Sequence, residues 1–243
     1  MKTLTIDIET IPDLAAHQRA GMELGSVFPP FPLHEIACVS ILTAQRYDWD
    51  SWRFGIETLS REVSSERAII AELEQILESA DEVITFNGRG FDVPVLLARA
   101  AVTQQRVPNI AKLYRRNQPG FHADLLDEIT GFGTAPRLKL AQLCAAFAIP
   151  AKLDVDGSEV KTLAEQGEWK RIADYCETDV VATWLAAQRW RRTQIEEVGR
   201  PRREALSVWL ESEQPRLAHL LPYTAVQGDP PGGRQLGDAA INF

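Results

Sequence analysis

Residues 2–9 alternate without a break: Leu4, Ile6 and Ile8 fall on one side of an extended chain, and Thr3, Thr5, Asp7 and Glu9 on the other. Side chains of a β-strand point alternately to opposite faces, so this segment reads as a strand with both acids on one face. Two carboxylates at the end of a strand otherwise fit for burial are costly unless a partner or a metal ion compensates them. Compensation of that kind has to come from distant parts of the chain, which constrains the whole fold. Two further acidic stretches qualify: Asn87-Gly88-Arg89-Gly90-Phe91-Asp92 and Tyr175-Cys176-Glu177-Thr178-Asp179. If the fold gathers Asp7, Glu9, Asp92 and Asp179, they form an oxygen-only cage for hard divalent cations. The commonest use of such a cage is two-metal attack on a phosphodiester.

The other patterns place these stretches on rigid elements. A β-branched run over 36–43 predicts a second strand, with 47–54 pairing to it across a short turn. Residues 62–79 predict a helix whose apolar stripe is Ile69, Ile70, Leu73, Ile76 and Leu77. A short buried strand over 82–86 ends in an Asn-Gly turn, and Asp92 stands where a helix cap belongs, with Pro94 in the first turn. Helices are expected over 138–147 and 172–192, separated by a polar loop at 152–158; Tyr175 and Asp179 lie one turn apart on the border of the last helix's buried side. Strands first, then strands alternating with helices, predict an α/β fold with a mixed sheet. Beyond Val198 the pattern degrades, apart from one helix to about Glu213 and a Pro/Gly-rich run at 229–233. Residues 196–243 are therefore expected to be a short C-terminal extension of a domain spanning 1–195, not an independent domain.

Composition sets further limits. At 243 residues, 45% hydrophobic and 25% charged, the chain can bury one sizeable core. The N-terminus lacks the features of a signal peptide, and no stretch approaches the roughly twenty apolar residues of a membrane span, so a cytoplasmic location is expected. Cys38, Cys144 and Cys176 are odd in number and form no C-x-x-C pair, which argues against a disulfide framework and against a zinc site. The net charge of −8 argues against tight, non-specific duplex binding. It does not exclude nucleic acid, because ions held by a carboxylate cluster invert the local field. The basic groups (Lys112 with Arg115-Arg116, Arg137 with Lys139, Arg189 with Arg191-Arg192) read as solvated faces.

Each acid has a plain alternative: Asp7 and Glu9 at the end of an edge strand, Asp92 as an N-cap, Asp179 paired with a base. Together, in this order, they resemble the three motifs of the DEDD 3′→5′ exonucleases, which share an RNase H-like fold: Asp7-x-Glu9 on a first strand, Asn87-Gly-x-x-Phe91-Asp92 at a strand-to-helix turn, and Tyr175-x-x-x-Asp179 on a late helix. The spacing of Tyr175 from Asp179 is that of the Tyr branch, which includes the proofreading domain of family B DNA polymerases and free-standing relatives. His122-Ala123-Asp124-Leu125 resembles an accessory stretch of the free-standing members, without an evident chemical role.

The resemblance covers roughly residues 1–195 and implies an RNase H-like mixed sheet flanked by helices. It further implies two Mg²⁺ (or Mn²⁺) ions bound by Asp7, Glu9, Asp92 and Asp179, with Asp7 bridging them and Tyr175 orienting the attacking water. Thr10, Asn87 and Phe91 are then candidates for holding the terminal nucleotide. Arg89, with Lys112, Arg115 and Arg116, is a candidate for phosphate contacts. The implied substrate is single-stranded nucleic acid with a free 3′ end, DNA favoured over RNA. The chain carries no polymerase or helicase region, which leaves room for a DNA polymerase or repair partner acting in trans. Other readings are an RNase H-like nuclease of different polarity (an endonuclease or resolvase), a catalytically silent nucleic-acid-binding module, and a haloacid dehalogenase-type phosphatase. The last expects Asp where Glu9 stands and leaves Tyr175 and Asp179 unexplained.

Overall fold

The first strand, β1 (Lys2–Pro12), is the organising element of the computed structural model, which describes residues 1–23, 29–47, 51–116, 120–150, 159–193 and 200–225. It pairs antiparallel with β2 (His34–Arg46) along its whole length, and parallel with β4 (Glu82–Thr85) only at Thr3, Leu4 and Thr5. β2 pairs antiparallel with β3 (Trp52–Ser60), and β4 parallel with β5 (His122–Asp124). The result is a five-stranded mixed sheet in the order β3-β2-β1-β4-β5, the expected RNase H-like arrangement.

Helices cover both faces. Leu4, Ile6 and Ile8 pack against α2 (Glu66–Glu78), α3 (Asp92–Val102) and α4 (Pro108–Leu113) in one buried cluster. The opposite face is crossed by the long α8 (Trp169–Arg191), with α5 (Leu125–Thr130), α6 (Leu140–Ala146) and α7 (Val160–Glu165) beside it. A short helix, α1 (Leu14–Ala20), follows β1.

Some boundaries differ from expectation, each for a local reason. The second arm of the hairpin is Trp52–Ser60, not 47–54, because that register puts Phe54 and Ile56 opposite Ala44 and Leu42 and buries both. Tyr47 is left exposed, with the Arg53 guanidinium over its ring. α2 begins at Glu66 because the Ser65 hydroxyl accepts the Ala68 N–H at 3.2 Å, an N-cap that 62–64 do not supply. The final helix, α9 (Arg200–Ser212), and the 3₁₀ segment Ala218–Ala225 bury Leu206, Leu210, Leu220 and Tyr223 in the same cluster as Phe54 and Trp184. The described part of the C-terminal extension thus packs on β3 and α8. The polar loop at 152–158 and the run at 229–233 lie outside the described residues. Among the described residues no helix is long and apolar enough to cross a membrane.

One buried guanidinium ties three connections together. Arg99 of α3 donates to Asp13 at 2.6 Å and to both carboxylate oxygens of Glu66 at 2.9 and 2.8 Å. Glu66 in turn accepts the Ile36 N–H at 2.9 Å, so α3 is bound to the end of β1, the start of α2 and the start of β2. Removing Arg99 leaves two buried carboxylates without their counter-charge. Arg99→Ala is expected to cost about 3–5 kcal/mol of unfolding free energy, measured by urea titration.

Candidate metal centre and nucleotide cleft

β1 outruns β4. The parallel pairing stops at Thr5, so Asp7 and Glu9 stand on a length of β1 that has β2 on one side and an open edge on the other. This is the carboxyl end of the two parallel strands, at the position where strand direction changes, which is where open α/β sheets place ligand sites. Asp92 enters there at the start of α3. It was expected to be the N-cap, but the cap position is Phe91, without a side-chain bond, and Asp92 is the first helical residue. Its carboxylate accepts from its own N–H and from the Ile8 N–H, a group that β4 is too short to reach. Asp92 therefore substitutes for a missing strand partner as well as joining the acids.

α8 brings the remaining pair. Asp179 is half-buried, and Tyr175, one turn before it, is 8% exposed. The Tyr175 hydroxyl donates to the Asp179 carboxylate, and burial followed by the charges of Asp179, Glu9 and Asp7 keeps the phenol protonated far above its ordinary range. A group held that way donates and positions; it does not abstract protons at neutral pH.

The acids act on one another. Burial first, then the charges of Asp92 and Asp179, hold the Asp7 carboxyl well above the usual carboxylate range. Glu9 is raised in the same way, by burial and then by Asp7. Asp92 is pushed up to about 7, chiefly by burial, with Asp124 and Asp179 adding to it. No Lys, Arg or His forms an ion pair with Asp7, Glu9 or Asp92 among the described residues. Crowded, partly or fully buried and uncompensated carboxylates fit divalent cations: the oxygen donors are hard, and what is missing is positive charge.

The acids line a cleft of about 950 Å³ whose walls also hold Thr10, Asn87, Phe91 and Tyr175. Thr10 follows a β-bulge between Glu9 and Thr10, and its hydroxyl donates to His34 Nδ1 at 2.9 Å while His34 Nε2–H donates to the Pro29 carbonyl at 3.0 Å. Phe91 meets the His34 ring edge-on at 5.3 Å, so it is both a cleft wall and a packing anchor. Asn87 occupies the left-handed region at φ 63°, a conformation Asn tolerates better than most residues. A Cβ at Gly88 would run into the Thr85 side chain, which explains the Asn-Gly pair.

His122 and Asp124 hold this turn in place. The Asp124 carboxylate accepts the N–H groups of Asn87 at 2.9 Å and Arg89 at 2.8 Å, and that of Leu126 at 3.1 Å at the start of α5. Burial, with Arg89 next, lowers His122 to about 4, so the ring is neutral at physiological pH. Its Nδ1–H then donates to the Leu113 carbonyl at 2.5 Å, and Nε2 accepts from Thr85 Oγ1 at 2.9 Å. The accessory stretch therefore has a supporting role: it fixes the turn that carries Asn87, Phe91 and Asp92.

Arg89 does not reach the cleft. Its guanidinium is turned into β5 and α5, donating to the His122 carbonyl at 2.7 Å and to Asp127 at 3.2 Å. Lys112 bonds Asn109 at 2.8 Å, and Arg116 lies 3.8 Å from Asp127. The cations on the cleft wall are instead Arg137 and Lys139, between α5 and α6, and Arg137 donates to Asn87 Oδ1. In the sequence these two were one basic group among three, with no signal to single them out.

Residues 26–197 match the family described as predicted 3′-5′ exonucleases related to the exonuclease domain of PolB. The chain belongs to this family. The matched stretch takes in Asn87 to Asp92, His122 to Asp124 and Tyr175 to Asp179, and begins after the strand that carries Asp7 and Glu9. The fold is similar to that of the family B DNA polymerase from the archaeon Pyrobaculum calidifontis, at a TM-score of 0.55 and 15% identity, over 92% of this chain and 27% of the polymerase. The chain thus spans about a quarter of that polymerase's length. No curated protein sequence matches it.

The raised carboxyls make a prediction for the metal-free exonuclease-family chain. A folded-state pKa above the unfolded value means that the native state binds more protons between the two, so stability falls as pH rises through that window. For Asp92 the window runs from about 4, the usual value, to about 7. In EDTA the melting temperature should fall as pH is raised across it, and Asp92→Asn should flatten the slope. An unchanged slope in that variant would remove Asp92 from the crowded set.

Proposed function

We propose that this chain is a metal-dependent exonuclease that removes nucleotides from the 3′ end of single-stranded nucleic acid, DNA in preference to RNA. The observation that carries the reading is the convergence of Asp7, Glu9, Asp92 and Asp179 in a cleft that also holds a protonated Tyr175. Family membership and the shared polymerase fold support it. Two Mg²⁺ or Mn²⁺ ions would be held by the four carboxylates. When bound, such ions supply Lewis-acid polarisation of the phosphate, activation of water and stabilisation of the leaving oxygen.

The protein's own groups do the positioning. Tyr175, through its hydroxyl on Asp179, orients that carboxylate and a water beside it. Phe91 offers a ring on which a terminal base can stack, and Asn87 and Thr10 offer polar groups beside it. Arg137 and Lys139 face the acids across the cleft, where they pair with backbone phosphates. The terminal nucleotide has to leave a duplex stack to enter, so frayed or single-stranded ends are the natural substrate. Residues 1–195 form the nuclease unit in this reading, with the following helix and 3₁₀ segment packed against it. A DNA polymerase or repair complex acting in trans is a fitting partner.

A time course on 3′- and 5′-labelled single-stranded DNA and RNA with Mg²⁺ or Mn²⁺ reads polarity and sugar preference from one ladder. EDTA should abolish the reaction, and Asp7→Asn should remove essentially all turnover. Tyr175→Phe should lower the rate by about 10²–10⁴-fold with metal affinity little changed. Endonucleolytic products from a circular single strand would reverse the assignment of polarity.

The two basic clusters separate by salt dependence. Arg137→Ala should weaken single-strand binding and reduce the slope of log K against log[salt] by about 1, as expected for one lost phosphate contact. Arg89→Ala should leave that slope alone and lower thermal stability, because its bonds to His122 and Asp127 are internal.

A further inference from the structure

The acids present only oxygen to the cleft, but behind them, toward the sheet, stands a sulfur. Cys176 follows Tyr175 on α8 and is fully buried. Its Sγ lies 3.4 Å from the Asp7 carbonyl oxygen and 3.6 Å from Asp7 Oδ2. One ligand atom each from Asp7, Glu9 and Cys176 lie within 4.8 Å of one another. A second thiol supports the first: Cys38, paired with Glu9 across the β1–β2 ladder, is buried and hydrogen-bonded to Cys176. Donors bound to one zinc-sized ion at 2.0–2.3 Å stand roughly 3–4 Å apart, so a small closure of this triplet would complete three corners of a tetrahedron.

We propose that Asp7, Glu9 and Cys176 form a site for a borderline-soft divalent cation of the zinc class, and that occupancy by such an ion blocks the Mg²⁺-supported reaction. Mg²⁺ takes oxygen ligands and has no use for a thiolate, whereas zinc-class ions take sulfur and oxygen together. The sulfur therefore adds affinity for the second kind of ion and none for the first. Binding forms the metal–sulfur bond and displaces the Cys176 thiol proton to solvent. Asp7 and Glu9 are shared, so an ion seated on the sulfur side withdraws both carboxylates from the cleft. The inhibitory half of the proposal rests on the exonuclease reading; the binding half does not.

The test uses the full chain stripped of metal. Titration with Co²⁺, a spectroscopic stand-in for zinc, should give thiolate-to-cobalt charge-transfer absorption that saturates at one equivalent. Cys176→Ser should abolish that absorption and weaken Zn²⁺ binding in calorimetry by at least the ~10-fold typical of losing even a supporting contact to a metal ligand. Cys144→Ser, which removes a different buried thiol, should keep the absorption. Cobalt bound by the wild-type protein without a thiolate band overturns the proposal, whether or not the Ser variant folds. In the Mg²⁺-supported nuclease assay, the Zn²⁺ concentration for half-inhibition should rise by the same factor in Cys176→Ser, each protein compared with its own zinc-free rate. Equal zinc sensitivity overturns the inhibitory role. A clear thiolate band in a protein with no nuclease activity under any ion would uphold the site and refute the exonuclease reading.

Discussion

Desolvation and crowding of carboxylates without a counter-charge are the constraint on which the rest of this structure depends. Asp7, Glu9 and Asp92 each carry a carboxyl held above its ordinary range by burial and then by neighbouring carboxylates, Asp124 and Asp179 in the case of Asp92. A fold that relaxed freely would separate them. They stay together because Asp7 and Glu9 are fixed on one face of β1 and Asp92 on the start of α3, and because those elements are joined by bonds that do not involve the acids. The cluster is thus a stored deficit of positive charge, and the ligand that relieves it most is a cation.

Two polar clamps supply that rigidity, one on each side of the site. Arg99 binds Asp13 and Glu66 and so locks α3 to the end of β1. Asp124 accepts N–H groups on both sides of the turn between β4 and α3 and caps α5. Asp92, between them, is fixed further by the Ile8 N–H at the open edge of β1. The shortness of β4 is what makes this possible: its pairing with β1 ends at Thr5, three residues before the Ile8 N–H that Asp92 uses. On the other flank α8 is set by burial of Ile172, Cys176, Val180 and Trp184, which leaves Tyr175 and Asp179 at the rim.

The legible part of the site was the part written in short-range periodicity. Alternation in β1 fixed which face Asp7 and Glu9 share, and four-residue spacing joined Tyr175 to Asp179 on one side of a helix. The apolar stripe of α2 and the Asn-Gly turn were visible for the same reason. Boundaries were less legible: α2 starts where the Ser65 hydroxyl takes up the Ala68 N–H, a local cap, whereas β3 lies where Phe54 and Ile56 reach the core, decided by partners far along the chain. Asp92 read as a cap because a carboxyl at a helix start often is one; only the unpaired Ile8 N–H redirected it.

Sequence by itself determined the identity of the acids, their order along the chain and the sheet-and-helix class that carries them, because each depends on neighbours within a few residues. Tertiary structure alone decided which cations face the acids. Arg89 is near Asp92 in sequence, yet it is spent on His122 and Asp127, while Arg137, fifty residues from Asn87, lies against it. It also decided that Cys176 touches Asp7 and that His122 and Asp124 serve the turn after β4. Those contacts join segments that meet only through the packing of the sheet and its helices, and no local pattern encodes the place where two such elements cross.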